Sequence, residues 1–355
     1  MAEMKLSTKT ARYPHDSRKC SISPHCLHGP RRPVGYRRAR ARRYATTVAA
    51  VNVPADARPR RDRCRTPDGV DIAVYDFGGS GDDLLLVHAT GFCAEVFVPL
   101  ARSLGDGFHC WGLDLRAHGH SGRPADGDLA WSGFRVDVLA AIDHLGLERP
   151  RAVGHSCGGA AVLLAEQARP GTFASLYCFE PVVIAEAVNP AAFQDNPLSA
   201  GARRRRPTFP SAGDALSNFS SKPPFSTLDP EVLAWYVDGG FETVPAADGG
   251  DGRAVRLRCR RQDEAEVYAH GASHGAFAHL PEVRCPVTLV CGEDTDAFGL
   301  PFLRADAARL AHPVVEVLAG LGHFGPLEQP VVVADSVRRA LSPGAGSPGS
   351  VPPGP

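Results

Sequence analysis

Short apolar runs alternate with stretches of helical periodicity along most of the chain. The apolar runs lie at 71–76, 84–87, 111–114, 152–154, 175–179, 287–290 and 314–317. Helical patterns separate them at 134–145, 160–168, 303–310 and 330–341. The run at 84–87 is apolar at every position, as expected of a strand covered on both faces. This alternation predicts an α/β fold with a doubly wound, mostly parallel sheet.

One long segment interrupts the alternation. Residues 183–281 contain few strand-like runs, many Pro and Gly residues, and helical pieces such as residues 230–236. A structureless loop of this length inside a compact domain would be unusual. We therefore predict a core at residues 62–182 and 282–341, with a mostly helical cap inserted at 183–281.

The charge distribution sets the first residues apart from the rest. Residues 1–61 carry 15 Lys and Arg against 3 Asp and Glu, and the remaining residues carry 24 against 36. We predict a disordered basic leader at 1–61 and a disordered Pro, Gly and Ser tail at 342–355. The acidic body does not favour binding to nucleic acid.

Localisation follows from segments that the chain lacks. It has no run of about 18 apolar residues that could span a membrane, and residues 1–61 lack the apolar core of a secretory signal. We therefore expect a cytoplasmic protein. The Arg-rich composition of residues 1–50 leaves an organellar transit peptide as an alternative.

The ten cysteines form no C-x-x-C pair and no cluster with the histidine spacing of a zinc site. Several lie inside apolar runs, as Cys110 does. We expect buried free thiols of an intracellular protein, and neither a metal nor an organic cofactor.

The strongest chemical signal is Gly154-His155-Ser156-Cys157-Gly158, directly after an apolar run and before a helical pattern. This is the G-x-S-x-G pattern of a nucleophile elbow. A sharp turn between strand and helix exposes the serine hydroxyl above the sheet. The start of the following helix directs its amides at a developing oxyanion. The pattern predicts Ser156 as a nucleophile.

These residues and four further stretches resemble the α/β-hydrolase family, in its serine-nucleophile, esterase-like branch with a helical cap. The likeness covers about residues 71–341. The further stretches are residues 86–92 (the oxyanion loop), 114–121 (a D-x-R-G-x-G-x-S-like turn), 290–296 (the acid loop) and 322–324 (the histidine loop). The order Ser, Asp, His is the one that this family uses.

The resemblance implies His323 as the general base, because histidine can take and return a proton near neutral pH. An acid must then orient the imidazole. Asp296 and Asp294 both lie in the acid loop, and the register of the motif favours Asp296. Glu180, at the end of the preceding strand, is a third candidate.

The oxyanion hole requires two backbone N–H groups. The resemblance implies those of Cys157, which follows the nucleophile, and of Thr90, two residues after His88. The family usually has Gly where this chain has Ala89. A thiol nucleophile at Cys157 is disfavoured because that residue follows the apex of the elbow.

These features predict an enzyme that hydrolyses a small or medium ester through an acyl-enzyme on Ser156. The substrate would be a small molecule selected by the cap, where the run Arg203 to Arg206 could bind an anion or form a solvated surface. Carbon–carbon bond hydrolysis and haloperoxidase-like perhydrolysis use the same triad and remain alternatives. A non-catalytic ligand-binding protein on this scaffold is another. The oligomeric state stays open.

Overall fold

The computed structural model describes residues 53–185, 196–246 and 253–342. The possible transit peptide, nearly all of the predicted leader and the tail after residue 342 lie outside the described residues. Within the described part, eleven strands form two sheets. The strands are β1 (Arg60–Arg65), β2 (Asp71–Gly79), β3 (Asp82–Val87), β4 (Phe108–Leu113), β5 (Arg151–His155), β6 (Ser175–Phe179), β7 (Thr208–Phe209), β8 (Phe241–Pro245), β9 (Arg253–Leu257), β10 (Val287–Gly292) and β11 (Pro313–Leu318).

Helices follow most strands of the larger sheet and fill the long insertion between β6 and β10. They are α1 (Val98–Leu104), α2 (Trp131–Leu145), α3 (Cys157–Ala168), α4 (Pro197–Arg203), α5 (Ala212–Ser220), α6 (Pro230–Gly240), α7 (Arg261–Ala269), α8 (Leu300–Ala307), α9 (Gly325–Glu328) and α10 (Pro330–Leu341).

The larger sheet has eight strands in the order β1-β2-β4-β3-β5-β6-β10-β11. Strand β2 runs antiparallel to both of its neighbours, and the pairings from β4 through to β11 are parallel. Parallel neighbours need crossover connections, which the helices supply. The predicted fold class, a doubly wound and mostly parallel sheet with a cap insertion, is confirmed.

The apolar run of β3 shows why the core has two halves. Leu84 and Leu86 pack with α1 and α10, whereas Leu85 and Val87 pack on the other face with α2 and α3. Successive side chains of a strand point to opposite faces. A strand with helices on both faces must therefore be apolar at every position, as the sequence pattern indicated.

The segment between β6 and β10, here termed the cap segment (residues 196–246 and 253–281), contains helices α4 to α7. It also contains a three-stranded antiparallel sheet in the order β7-β9-β8, which the sequence analysis missed. β7 has only two residues, and two of the five residues of β9 are arginines, Arg253 and Arg256. Such short and charged segments give little hydrophobic signal.

Three helices of the cap segment begin at side-chain caps. Asn196 accepts a hydrogen bond from the N–H of Ser199, Ser211 from that of Asp214, and Asp229 from that of Glu231. Such caps satisfy N–H groups that have no partner within the helix. They define where α4, α5 and α6 start.

The predicted last residue of the disordered leader, residue 61, is wrong. Arg60 and Arg61, assigned to a disordered leader, belong to β1 and pair with Asp76 and Tyr75 of β2. Four of the six residues of β1 are arginines, which hid the strand from a hydrophobicity pattern. An edge strand tolerates this composition because one side faces solvent.

Two further sequence expectations can be compared with the described residues. All eight cysteines in this part of the chain are buried and unpaired, whereas Cys20 and Cys26 lie outside it. Among the helices described, none has the length and apolar character needed to cross a membrane.

Asp306 on α8 is a buried carboxyl group whose protonation should affect the stability of the fold. It is 1% exposed, its Oδ2 has no hydrogen-bond partner among the described residues, and burial raises its pKa to about 8. Between the ordinary pKa of an Asp side chain and about pH 8, Asp306 therefore keeps its proton in the folded state, whereas it has lost the proton in the unfolded state. Stability from this group is present at low pH and is lost as the pH rises towards 8.

We expect Asp306→Asn to gain stability relative to the native chain as the pH rises from 5 to 8, by up to about 1 kcal/mol per pH unit. Urea unfolding at several pH values measures this difference. Asp335→Asn, at an exposed position of α10, is the control. A difference that does not change with pH would contradict the assignment.

Candidate active site

The turn between β5 and α3 holds Ser156 in an uncommon backbone conformation. Its φ is 55° and its ψ −116°, outside the regions that most residues with a side chain adopt. The N–H of Ser156 donates to the carbonyl of Phe179 on β6 at 3.0 Å. The residue is 8% exposed, so it is nearly buried but remains accessible. Strain of this kind persists only where the surrounding structure enforces it.

Glycines around the serine allow the backbone to approach this closely. A Cβ on Gly154 would lie 2.6 Å from the carbonyl oxygen of Gly158. A Cβ on Gly158 would collide with the carbonyl of Val87 at the end of β3. The glycines of the G-x-S-x-G pattern therefore bring the start of α3 against the end of β3.

His323 lies in the loop between β11 and α9, and its imidazole contacts a buried carboxylate. Its Nδ1 is 2.7 Å from Oε2 of Glu180, which is fully buried. Two further donors fix this carboxylate: the N–H of Gly292 to Oε1 at 3.0 Å, and the hydroxyl of Thr295 to Oε2 at 2.8 Å. With Nδ1–H donating to Glu180, Nε2 carries the lone pair.

The prediction that Asp296 is the acid partner of His323 is wrong. Asp296 and Asp294 are both exposed on the loop after β10, and the carboxylate at Nδ1 is that of Glu180. The same loop contributes the hydroxyl of Thr295 in place of a carboxylate. Glu180 was the third candidate from the sequence, and the tertiary structure places its carboxylate at Nδ1 of His323.

The backbone at Glu180 explains how a residue directly after a strand reaches the histidine. Its φ is 44°, a left-handed value that is rare for residues with a side chain. Its N–H donates to the carbonyl of Val290 on β10 at 2.7 Å. The sequence signal was a lone carboxylate after the apolar end of β6 and before Pro181.

His155, the residue before the nucleophile, ties the histidine loop to the elbow. Its Nε2 is 2.9 Å from the carbonyl oxygen of His323, and the two rings are 5.2 Å apart. It is fully buried, which lowers its pKa well below the ordinary value and keeps the ring neutral. The turn at Ser156 and the loop of His323 are therefore joined through one hydrogen bond.

The hydroxyl of Ser156 forms no hydrogen bond within the described part of the chain, and neither does Nε2 of His323. Hydrogen bonds between catalytic groups are often long without substrate and shorten in the reacting complex.

Thr90 and Cys157, the predicted oxyanion donors, lie on two neighbouring segments of the chain. The thiol of Cys157 donates to the carbonyl of His88 at 3.7 Å, and Thr90 follows His88 by two residues. Burial raises the pKa of Cys157 to about 12, so the thiol stays protonated at neutral pH. A thiolate nucleophile is therefore disfavoured.

His88 fixes the loop that carries Thr90. Burial lowers its pKa to about 4, and the neutral ring donates from Nδ1 to the carbonyl of Ala89 at 2.8 Å. Its Nε2 accepts from the N–H of Leu115 at 3.0 Å. The left-handed residue of this loop is Gly91, with a φ of 80°. Ala89 therefore stands where a methyl group can be accommodated.

Aromatic rings extend from His323 into the cap segment. Phe324 lies 5.7 Å from Phe92, and Phe92 lies 5.3 Å from Tyr236 and 5.6 Å from Phe225. Next to them, Arg205 pairs with Glu264 and with the hydroxyl of Tyr236. Of the predicted arginine run, Arg205 thus points inward, whereas its three neighbours in the run are exposed.

The described residues contain no group of three or more His, Cys, Asp or Glu side chains arranged to hold a metal ion. The buried carboxylate of Glu180 is already bound to protein donors. The chemistry that this arrangement supports is proton transfer and nucleophilic attack by protein side chains.

Comparison with known proteins shows the family and the fold. The model of the alpha/beta hydrolase family matches residues 84–336. N-formylmaleamate deformylase of Pseudomonas putida is 28% identical over 262 residues, which cover 69% of this chain and 79% of that protein. Human monoglyceride lipase is 32% identical over 122 residues, which cover 31% of this chain and only 38% of the lipase.

Among solved structures, E-2-(acetamidomethylene)succinate hydrolase superimposes with a TM-score of 0.66 and 20% identity. The match covers 79% of this chain and 98% of that one. At this identity the likeness shows the fold alone.

We expect Glu180→Gln to lower the rate of Ser156 acylation about 100-fold or more, because a neutral amide no longer stabilises the imidazolium form of His323. Hydrolysis of p-nitrophenyl acetate measures the rate. Asp296→Asn is the matched control and should stay close to the native rate. A larger loss in Asp296→Asn than in Glu180→Gln would restore Asp296 as the acid.

We also expect His155→Phe to lower this rate about tenfold, since the donor to the carbonyl of His323 is lost. His155→Gln, whose amide can reach the Nε2 position, should recover part of the loss. Equal rates in both variants would show that the hydrogen bond does not position the loop.

Proposed function

Because this chain belongs to the alpha/beta hydrolase family, we propose that it is a serine hydrolase that forms an acyl-enzyme on Ser156. The observation that carries the proposal is the hydrogen bond between Nδ1 of His323 and the buried carboxylate of Glu180, beside a strained serine turn. We assign Ser156 as nucleophile, His323 as general base and Glu180 as the acid.

The proposed reaction begins with the neutral imidazole of His323. Its Nε2 takes the proton of the Ser156 hydroxyl as the oxygen attacks the substrate carbonyl. Glu180 accepts from Nδ1–H throughout and stabilises the imidazolium that forms. His323 then protonates the leaving group, and a water molecule, deprotonated in turn by His323, releases the acyl group.

The backbone N–H groups of Thr90 and Cys157 are the proposed oxyanion hole. Cys157 is the first residue of α3, so its N–H is free of the helix's own hydrogen bonds. Each donor would lower the barrier by about 3 kcal/mol. The hydrogen bond from the thiol of Cys157 to the carbonyl of His88, two residues before Thr90, supports a shared binding position for one oxygen.

A small or medium carboxylic ester is the proposed substrate class, and aromatic rings of the cap segment would contact its apolar part. The partial match to a monoglyceride lipase supports ester chemistry. Cleavage of an N-formyl amide is the second candidate. The longer match to a deformylase favours it, and the same serine, base and oxyanion donors would carry it out.

Labelling with a fluorophosphonate probe tests the nucleophile. We expect one adduct on the native chain, located at Ser156 by mass spectrometry of peptides, and none on Ser156→Ala. Ser221→Ala, an exposed serine of the cap segment, is the control and should be labelled like the native chain.

No adduct on the folded native chain would contradict the proposal and would favour a ligand-binding role on the same scaffold. An adduct at Ser156 would direct further work to paired ester and N-formyl amide substrates with the same acyl group.

A further inference from the structure

A buried ion pair of the cap segment lies directly against the proposed oxyanion loop. Gly91 follows the proposed donor Thr90. A Cβ on Gly91 would lie 2.7 Å from Oε1 of Glu264 and 3.3 Å from Nη1 of Arg205. The absence of a side chain at Gly91 is therefore what permits the carboxylate to approach this loop.

The pair is well fixed and largely removed from solvent. Nη1 of Arg205 donates to Oε2 of Glu264 at 2.5 Å, and Nη2 donates to the hydroxyl of Tyr236 at 2.5 Å. The side chains of Glu264 and Arg205 are 5% and 18% exposed. The guanidinium also lies 5.6 Å from the ring centroids of Phe219 and Phe225.

The position of Glu264 presents an electrostatic conflict. Acyl transfer places negative charge on the oxygen held by the N–H groups of Thr90 and Cys157. A carboxylate beside the residue after Thr90 repels that charge, and the repulsion is strong where water is excluded. The neighbouring carboxylate on α7, Asp263, is already paired with Arg123 and Arg260.

We propose that Arg205 is a positioning residue whose charge cancels that of Glu264, so that the oxyanion loop keeps a favourable potential for the transition state. The inference rests on the proposed function, because it needs a reaction that develops an oxyanion at Thr90 and Cys157. It assigns to Arg205 a role through Glu264 and not a contact with the reacting atoms.

The test compares single and double variants on the neutral substrate p-nitrophenyl acetate, together with the rate of fluorophosphonate labelling. We expect Arg205→Met to lower kcat and the labelling rate at least about tenfold, with a smaller change in KM. The double variant Arg205→Met with Glu264→Gln should recover most of the loss, because both charges are then absent. Arg205→Lys should keep a rate close to that of the native chain, since the positive charge is retained.

Arg256→Met provides the matched control, because it breaks the exposed ion pair with Glu242 in the same cap segment. The fraction of folded protein is measured by thermal unfolding for every variant. A double variant as slow as Arg205→Met would overturn the inference, as would a loss explained by unfolding alone. If Arg205→Met does not fold, a rate loss of about tenfold or more in folded Arg205→Lys would overturn it too, because that variant keeps the positive charge.

The two proposals fail in different ways. Absence of labelling on the native chain would refute the serine hydrolase itself. Normal labelling of the native chain, with no recovery in the double variant, would refute only the role of Arg205.

Discussion

The close approach of helix α3 to the ends of β3 and β5 is the constraint on which the site depends. It requires glycine at 154 and 158 and forces Ser156 into a left-handed backbone. One consequence is that the serine projects from the edge of the sheet. The other is that Cys157, the first residue of α3, lies with its thiol 3.7 Å from the carbonyl of His88, two residues before Thr90. A single steric arrangement therefore positions Ser156 and the start of α3 next to the loop of Thr90.

Two buried carboxyl groups of this fold, those of Glu180 and Asp306, differ in their hydrogen bonding. Glu180 accepts hydrogen bonds from three donors and orients His323. Asp306 has an oxygen without a partner among the described residues, and its pKa is raised to about 8. Burial alone therefore does not define a functional carboxylate. What distinguishes Glu180 is that one of its three donors is the imidazole of His323.

The cap segment contacts the core through aromatic rings, through ion pairs such as Arg123–Asp263, and through the approach of Glu264 to Gly91. Phe92 of the core meets Phe225 and Tyr236 of the cap segment, and Arg205 holds Glu264 against Gly91. We therefore expect substitutions in the cap segment to change the rate of the proposed reaction as well as the selection of substrate. Because a buried ion pair is weak evidence for a gain in stability, the role proposed for this one is in the electrostatics of the loop.

The sequence by itself determined the parallel sheet, the elbow at Ser156 and the loop of His323, because hydrophobic periodicity and local glycine patterns record them directly. It did not determine the partner of His323 or the small sheet of the cap segment. Glu180 and His323 are 143 positions apart, and only the order of strands β6, β10 and β11 brings their ends together. Glu180 reaches His323 because its backbone takes a left-handed turn directly after β6. The residue type alone does not reveal that turn, so the sequence could not decide between Glu180 and Asp296.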